Sequence, residues 1–169
     1  MSNSLSAYLL EDHARLEALL NQSVADPALF DHAAFERFRA GLLRHIGIEE
    51  KLLLPAARKK NGGTPLALAQ PLHTEHAALA SLLVPTPDVA LVGELRSLLL
   101  QHNPREEGAE GLYAICEALL GSEAMPLLER AKAAPAVRTA PHFDGAGVHR
   151  TAESALRSAA RTFRPKNPL

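Results

Sequence analysis

The sequence predicts an all-α protein, helices packed on helices, and three observations carry that prediction. Leu and Ala dominate an apolar fraction of 47%, while aromatic residues make up 4% and Trp is absent; a sheet core would ask instead for Val, Ile and Tyr. Apolar residues recur at three- and four-residue spacing through each long segment. A histidine phrase is also written twice: Glu11-Asp12-His13 and then His45-Ile-Gly-Ile-Glu49-Glu50, followed by Thr74-Glu75-His76 and then His102-Asn-Pro-Arg-Glu106-Glu107. That is the signature of a repeated two-helix unit.

The first helix is predicted to start at a serine cap, Ser4 or Ser6, and to carry Leu9, Leu10, His13, Leu16, Leu19 and Leu20 on one stripe. A polar connection to Pro27 ends it. The second begins after a cap at Asp31 and carries Phe35, Phe38, Leu42, His45, Ile46, Glu49 and Leu53. Pro55 is expected to kink or end it, with Lys59, Lys60 and Asn61-Gly62-Gly63 as a basic terminus and stop. Thr64-Pro65 reads as the cap and first residue of a third helix, in which Pro71 forces a kink or restart before His73. Its stripe continues through Leu72, His76, Leu79, Leu82 and Leu83.

Asp88 caps a fourth helix with Val92, Leu95, Leu98, Leu99, His102, Glu106 and Tyr113 on its face, ending at Gly121. Its middle is locally poor, since Pro104, Gly108 and Gly111 fall there and a proline alone costs on the order of 3 kcal/mol in a helix interior. A short fifth helix is expected from Glu123 to Lys132, and a last one after Thr151 with Ala152, Leu156, Ala159 and Phe163. At 169 residues the chain is about one domain long. We expect a bundle over residues 1–133 and an Ala/Pro-rich tail over residues 134–169.

Overall charge is close to balanced, with 18 Lys+Arg and 19 Asp+Glu, and so gives no reason to expect a nucleic-acid partner. It is distributed unevenly: the tail is net +4 and the preceding residues net −5. The tail helix sets Arg150, Arg157, Arg161 and Arg164 beside its apolar stripe, which suits docking on the acidic bundle and offers a surface to a protein partner. The single cysteine, Cys116, can form no intrachain disulfide and no thiolate metal site; with Ala114, Ile115 and Leu119 beside it, it reads as a small core residue. The N-terminus lacks the basic start and apolar run of a signal peptide, and no uncharged stretch is long enough to span a bilayer. The expectation is a cytoplasmic protein without a membrane partner.

Five of the eight histidines, His13, His45, His73, His76 and His102, fall on apolar faces, together with Glu49 and Glu106. One such histidine is ordinarily a core residue with a local hydrogen-bond partner. Five with two carboxylates are different, because an unpaired buried carboxylate costs several kcal/mol or becomes protonated. Divalent cations answer that cost. Nitrogen and oxygen donors without thiolate suit Fe, Mn or Zn, and seven donors exceed one tetrahedral zinc but match two bridged metals. Glu50, Glu75 and Glu107 point about 100° or more away from these faces and read as solvated. Tyr113 reads as a core aromatic, and no nucleophile triad, phosphate-binding loop or zinc-protease motif is present.

A histidine, then His-x-x-x-Glu, given twice with an extra histidine on the third helix, resembles the hemerythrin-like, or HHE cation-binding, family over residues 5 to about 121, including the flanking phrases EEKLLLP and HNPREEGAEGLY. The resemblance implies an antiparallel up-down-up-down four-helix bundle, here built from two helical-hairpin repeats with extra short C-terminal helices. It also implies a bridged non-haem centre of two Fe ions, with Mn or Zn as substitutes, that binds O2, NO or peroxide. Carried over by position, its ligands are His13, His45, Glu49, His73, His76, His102 and Glu106, with Glu49 and the fourth-helix carboxylate as bridges. The sequence departs from the family's oxygen carriers in two places. They have four residues between the last histidine and an Asp, whereas here Glu106 follows His102 after three and Glu107 after four; on a regular helix these lie about 40° and about 140° from His102, which favours Glu106. The interval from His73 to His76 is also one residue shorter. The expected function is binding or sensing of a small ligand. The enzymatic alternatives are a di-iron oxidase, a peroxide scavenger or an iron-centre repair protein, the last usually having an added N-terminal cysteine-bearing domain that these residues do not include.

Overall fold

A computed structural model describes residues 4–163, which are mostly helical with no β-strand among them. Helix α1 (Leu5–Ser23) starts at Ser4, whose hydroxyl accepts from the Ala7 N–H, and α2 (His32–Ile48) starts at Asp31, whose carboxylate accepts from Ala34. The second helix does not end at Pro55. Its ladder widens into a π turn (Glu49–Leu53), in which the Leu54 N–H donates to the Glu49 carbonyl, and continues as α3 (Leu54–Lys60). Pro55 thus falls in the first turn after the change of ladder, where its missing N–H is least costly.

Thr64-Pro65 does not open a helix. Gly62 and Gly63 turn the chain with positive φ, and α4 (Ala69–Leu82) begins only after a turn at Leu66 to Leu68. Pro71 then stands in the first turn of α4 and neither kinks nor restarts it. The fourth predicted helix is two: α5 (Val89–Glu107), capped by Asp88, and α6 (Leu112–Leu120). Pro104 is tolerated inside α5, and the break comes at Gly108 to Gly111. A Cβ on Gly111 would lie 2.6 Å from the Glu106 carbonyl oxygen, so glycine is what lets the chain turn back this tightly. Gly121, at φ 51°, ends α6, and α7 (Ala124–Lys132) and α8 (Ala152–Thr162) follow.

Two apolar cores hold the helices. Leu16, Phe35, Phe38, Leu42, Leu79 and Leu95 belong to one, and Leu9, Leu53, Leu72, Leu112 and Leu128 to the other. On α1, α2 and α4, and along the run from α5 into α6, a histidine stands between residues of the first core and residues of the second, so a polar layer is set between two greasy ones. The tail packs onto the first core: Ala152, Ala155 and Ala159 of α8 are buried in it. The Phe143 N–H donates to the Val84 carbonyl, and Arg150 pairs with Asp88 at 2.6 Å. The run Val89–Lys132 is long and apolar enough by length and composition to cross a membrane, but it is broken at Gly108 and buries His102 and Glu106 in the polar layer.

Gly111→Ala is expected to cost about 1–3 kcal/mol, the range for forcing a methyl group into a filled space, and to loosen both Glu106 and α6. Urea unfolding of the variant measures the first, and metal content after reconstitution the second.

Candidate metal centre

The polar layer is built from equivalent positions. On α1 and α4 a histidine follows an acidic residue (Asp12-His13, Glu75-His76); on α2 and α5 a histidine is followed four residues later by a glutamate pair (His45 with Glu49-Glu50, His102 with Glu106-Glu107). The spacing of four puts His45 with Glu49, and His102 with Glu106, on one face. Glu49 and Glu106 are fully buried, and His45, His76 and His102 are nearly so.

Each of the four histidines donates its Nδ1–H to a carboxylate outside the cluster: His45 to Asp12 at 2.9 Å, His102 to Glu75 at 2.9 Å, His76 to Glu50 at 2.6 Å and His13 to Glu107 at 2.5 Å. Matching residues of the two phrases make matching bonds. The residue before each α1 or α4 histidine serves the histidine of the next long helix, whereas Glu50 and Glu107 each serve the other half of the molecule. Arg15 backs Asp12 at 2.7 Å, and Arg105 pairs with Glu75. This leaves the four Nε2 atoms facing inward.

Those inward atoms meet Glu49 and Glu106. Glu49 Oε1 lies 3.2 Å from His45 Nε2, and its Oε2 lies 3.2 Å from His76 Nε2. Glu106 Oε1 lies 3.2 Å from His76 Nε2, and its Oε2 lies 3.2 Å from His102 Nε2 and 3.4 Å from His13 Nε2. Two groups of donors emerge, His13, His45, Glu49 and Glu106 in one and His76, His102 and Glu106 in the other, each with its donor atoms within 4.8 Å of one another. Glu49 Oε2 is buried with no hydrogen-bond partner.

The structure brings together six of the seven residues singled out from sequence. His73 is not among them: it is about one-third exposed, its Nδ1 lies 2.5 Å from Glu50, and its ring stacks on Phe163. Three residues of helix rotate it about 60° from His76, which is enough to aim it at the edge of the bundle. The carboxylate beside Glu106 has a different place as well, since Glu107 is 36% exposed and reaches His13 from outside.

Reading Glu50, Glu75 and Glu107 as solvated faces needs correction, because all three are partners of cluster histidines. The signal was present in the sequence: an acidic residue stands next to His13 and Glu49 in the first copy of the phrase and next to His76 and Glu106 in the second. Tyr113 is a buried core residue, but its hydroxyl also enters the cluster, donating to Glu49 Oε1 at 2.7 Å and lying 3.0 Å from His13 Nε2, 3.2 Å from His45 Nε2 and 3.2 Å from Glu106 Oε2. The break at Gly108 to Gly111 is what redirects α6 to place it there. Cys116 is fully buried, and burial together with Glu49 pushes its thiol up to about 12, as suits an inert core residue.

Charge coupling in this layer is strong. Burial pushes the His45 imidazole down, but Glu49, Asp12 and Glu106 outweigh it and hold the group at about 10. Burial and Glu106 push Glu49 up, but His45 and His76 outweigh them and hold it at about 2. Burial and the carboxylates of Glu49 and Glu106 push the Tyr113 phenol well above its ordinary value. Against the histidine side of the layer lies a cavity of about 570 Å³ between α1, α2 and α5, bordered by His13, His45 and His102.

Two outcomes are expected. Asp12→Asn and Glu75→Gln should each weaken divalent-metal binding by about 10- to 100-fold, as loss of a carboxylate behind a metal-bound histidine does, while Glu17→Gln on the exposed face of α1 leaves it unchanged; competitive chelator titration measures this. For the metal-free protein, the contribution of Glu49 is present above its ordinary value of 4.5 and is lost as pH falls toward about 2. That of His45 is present below its ordinary value of 6.5 and is lost as pH rises toward about 10. Its melting temperature should therefore be highest between those ordinary values and fall on either side. Bound metal should flatten the alkaline fall, and calorimetry across pH measures both effects.

Comparison with known proteins agrees with this layer. No curated protein and no solved structure matches the chain. The family model described as the hemerythrin HHE cation binding domain matches residues 4–114, a span of about two thirds of the chain that takes in all six clustered residues and Tyr113. With well over half its length matched, and with histidines and glutamates converging as a cation site requires, the chain belongs to the hemerythrin HHE cation-binding domain family.

Proposed function

We propose that the polar layer holds two iron ions and that the protein binds or senses O2, NO or peroxide there. The observation that carries this reading is a charge imbalance. Six carboxylates (Asp12, Glu49, Glu50, Glu75, Glu106 and Glu107) surround four histidines, and two arginines, Arg15 and Arg105, offset two of them. With neutral imidazoles the layer is left at −4, the charge that two divalent cations balance.

In this reading His13, His45, Glu49 and Glu106 hold one ion, and His76, His102 and Glu106 hold the other. Glu49 and Glu106 span the two, since each sends one oxygen toward each donor group. His73 supports Glu50 from the surface. The donor set of imidazole nitrogen and carboxylate oxygen suits iron, with manganese or zinc as substitutes. The order in which the four long helices run between the two cores alternates, which supports an up-down-up-down bundle of two hairpins. A bound iron pair would supply the position at which the small ligand attaches. The chain's contribution is to orient the four rings through their Nδ1–H bonds and to set the layer between two apolar cores. We place the protein in the cytoplasm, where Cys116 remains a thiol.

An oxidase or peroxide-scavenging reading has one observation in its favour. The Tyr113 O–H stands among four donor atoms and holds a proton beside whatever small molecule enters that group, a feature that simple ligand carriage does not require.

Anaerobic ferrous titration followed by exposure to air decides among these readings. Binding is expected to saturate near two irons per chain, and His45→Ala to lower it. Absorbance that bleaches on degassing supports carriage or sensing. Irreversible oxidation that slows in Tyr113→Phe supports the oxidase reading, and saturation far below two irons that is unchanged in His45→Ala overturns both.

A further inference from the structure

The cavity beside the histidines is much larger than a diatomic ligand needs. Its volume of about 570 Å³ lies in the range of clefts that take organic molecules, whereas a water occupies roughly 30 Å³ in the liquid. Along α5 it is bordered from Arg96 to Glu107 and along α1 from Leu10 to Asn21. Eleven residues of rise make each wall about 16 Å long.

The two ends of this trough differ in chemistry. At one end are His13, His45 and His102; at the other Arg96, half-buried, donates to Asn21 Oδ1 at 2.6 Å and has no carboxylate partner among the described residues. Between them lie Leu16, Leu20, Phe38, Leu42 and Ile46. Two carboxylates also border the trough: Glu107, which accepts from His13, and Glu17, on the exposed rim. Asn103, on the α5 wall, adds a buried Oδ1 with no hydrogen-bond partner. A guanidinium with free N–H groups recognises a carboxylate in a planar, two-point fashion, and the apolar stretch beyond it rewards a hydrocarbon body.

We propose that this trough binds a monocarboxylate with an apolar body of medium length, its carboxylate on Arg96 and its far end against the histidine side of the polar layer. His102 lies six positions after Arg96 on α5, about 9 Å of rise, so the end that reaches the histidines is carbon several bonds from the head group. The proposal does not depend on which metal, or whether any, is bound.

Calorimetric titration of the full chain with decanoate tests it, with decanol and decylammonium as probes that keep the body and change the head. Decanoate is expected to saturate at about one per chain and to bind about tenfold more tightly than decylammonium. Arg96→Gln should weaken decanoate about tenfold and leave decanol unchanged. Leu99→Trp, which fills the trough away from the histidines, should abolish both while circular dichroism and metal content stay as in the parent. Absence of saturable decanoate binding, equal binding by Arg96→Gln, or tighter binding of decylammonium overturns the proposal. Failure of the iron titration described above leaves all three outcomes readable, so the two readings stand or fall separately.

Discussion

Two carboxylates with no exposure, Glu49 and Glu106, sit midway along a bundle whose apolar interior is mostly leucine, alanine and phenylalanine. Left unpaired, each would cost several kcal/mol or take up a proton. The rest of the layer follows from that cost. Four imidazoles face the two carboxylates, four outer carboxylates orient the imidazoles, and Arg15 and Arg105 orient two of those. Even the backbone irregularities fall here, with the π turn opening at Glu49 and the break between α5 and α6 following directly on Glu106 and Glu107. Widened helical turns are commonly found where side chains must be re-aimed for a function.

The layer has two ways to balance its charge, and they compete. Protons can do it, which is why His45 is held at about 10 and Glu49 at about 2. Cations can do it as well, and they need the same Nε2 atoms with the protons removed. Because the bonds to Asp12, Glu50, Glu75 and Glu107 use the Nδ1 side of each ring and leave Nε2 to the layer, the rings need not reorient for one balance to replace the other. The rings are therefore oriented before a metal arrives, in a layer set between apolar cores above and below.

Most of this layer could be read from the sequence because helical spacing reports which residues share a face with the core. His13, His45, Glu49, His76, His102 and Glu106 were legible in that way, and the choice of Glu106 over Glu107 rested on the same rotation. Spacing within one helix says less about residues at the flank of a face. Glu50, Glu75 and Glu107 lie about 100° from the inward direction of their own helices, which in a bundle points toward a neighbouring helix as often as toward water. Their role depends on where that neighbour's histidine is. His73 is the reverse case, an imidazole close to His76 in rotation but carried to the edge by the last 60°. The helix starts and breaks were obscured by proline and glycine, whose effect depends on position in the turn. Pro71 and Pro55 are harmless in first turns, whereas Gly108 and Gly111 divide what periodicity alone joins.

The two donor groups are alike in residues but unlike in surroundings, and this bears on where a small molecule would arrive. His13 and His45 border the cavity between α1 and α5, and the Tyr113 hydroxyl reaches into their group. Of the second group only His102 borders it, while His76 does not and has Glu50 against its Nδ1. A molecule entering by the cavity thus meets the first group and the Tyr113 proton before it meets His76. The twofold pattern of the sequence builds a paired cage, and Tyr113 of α6, seven residues after Glu106 where Ala56 of α3 stands seven after Glu49, breaks that symmetry by delivering one hydroxyl to one side.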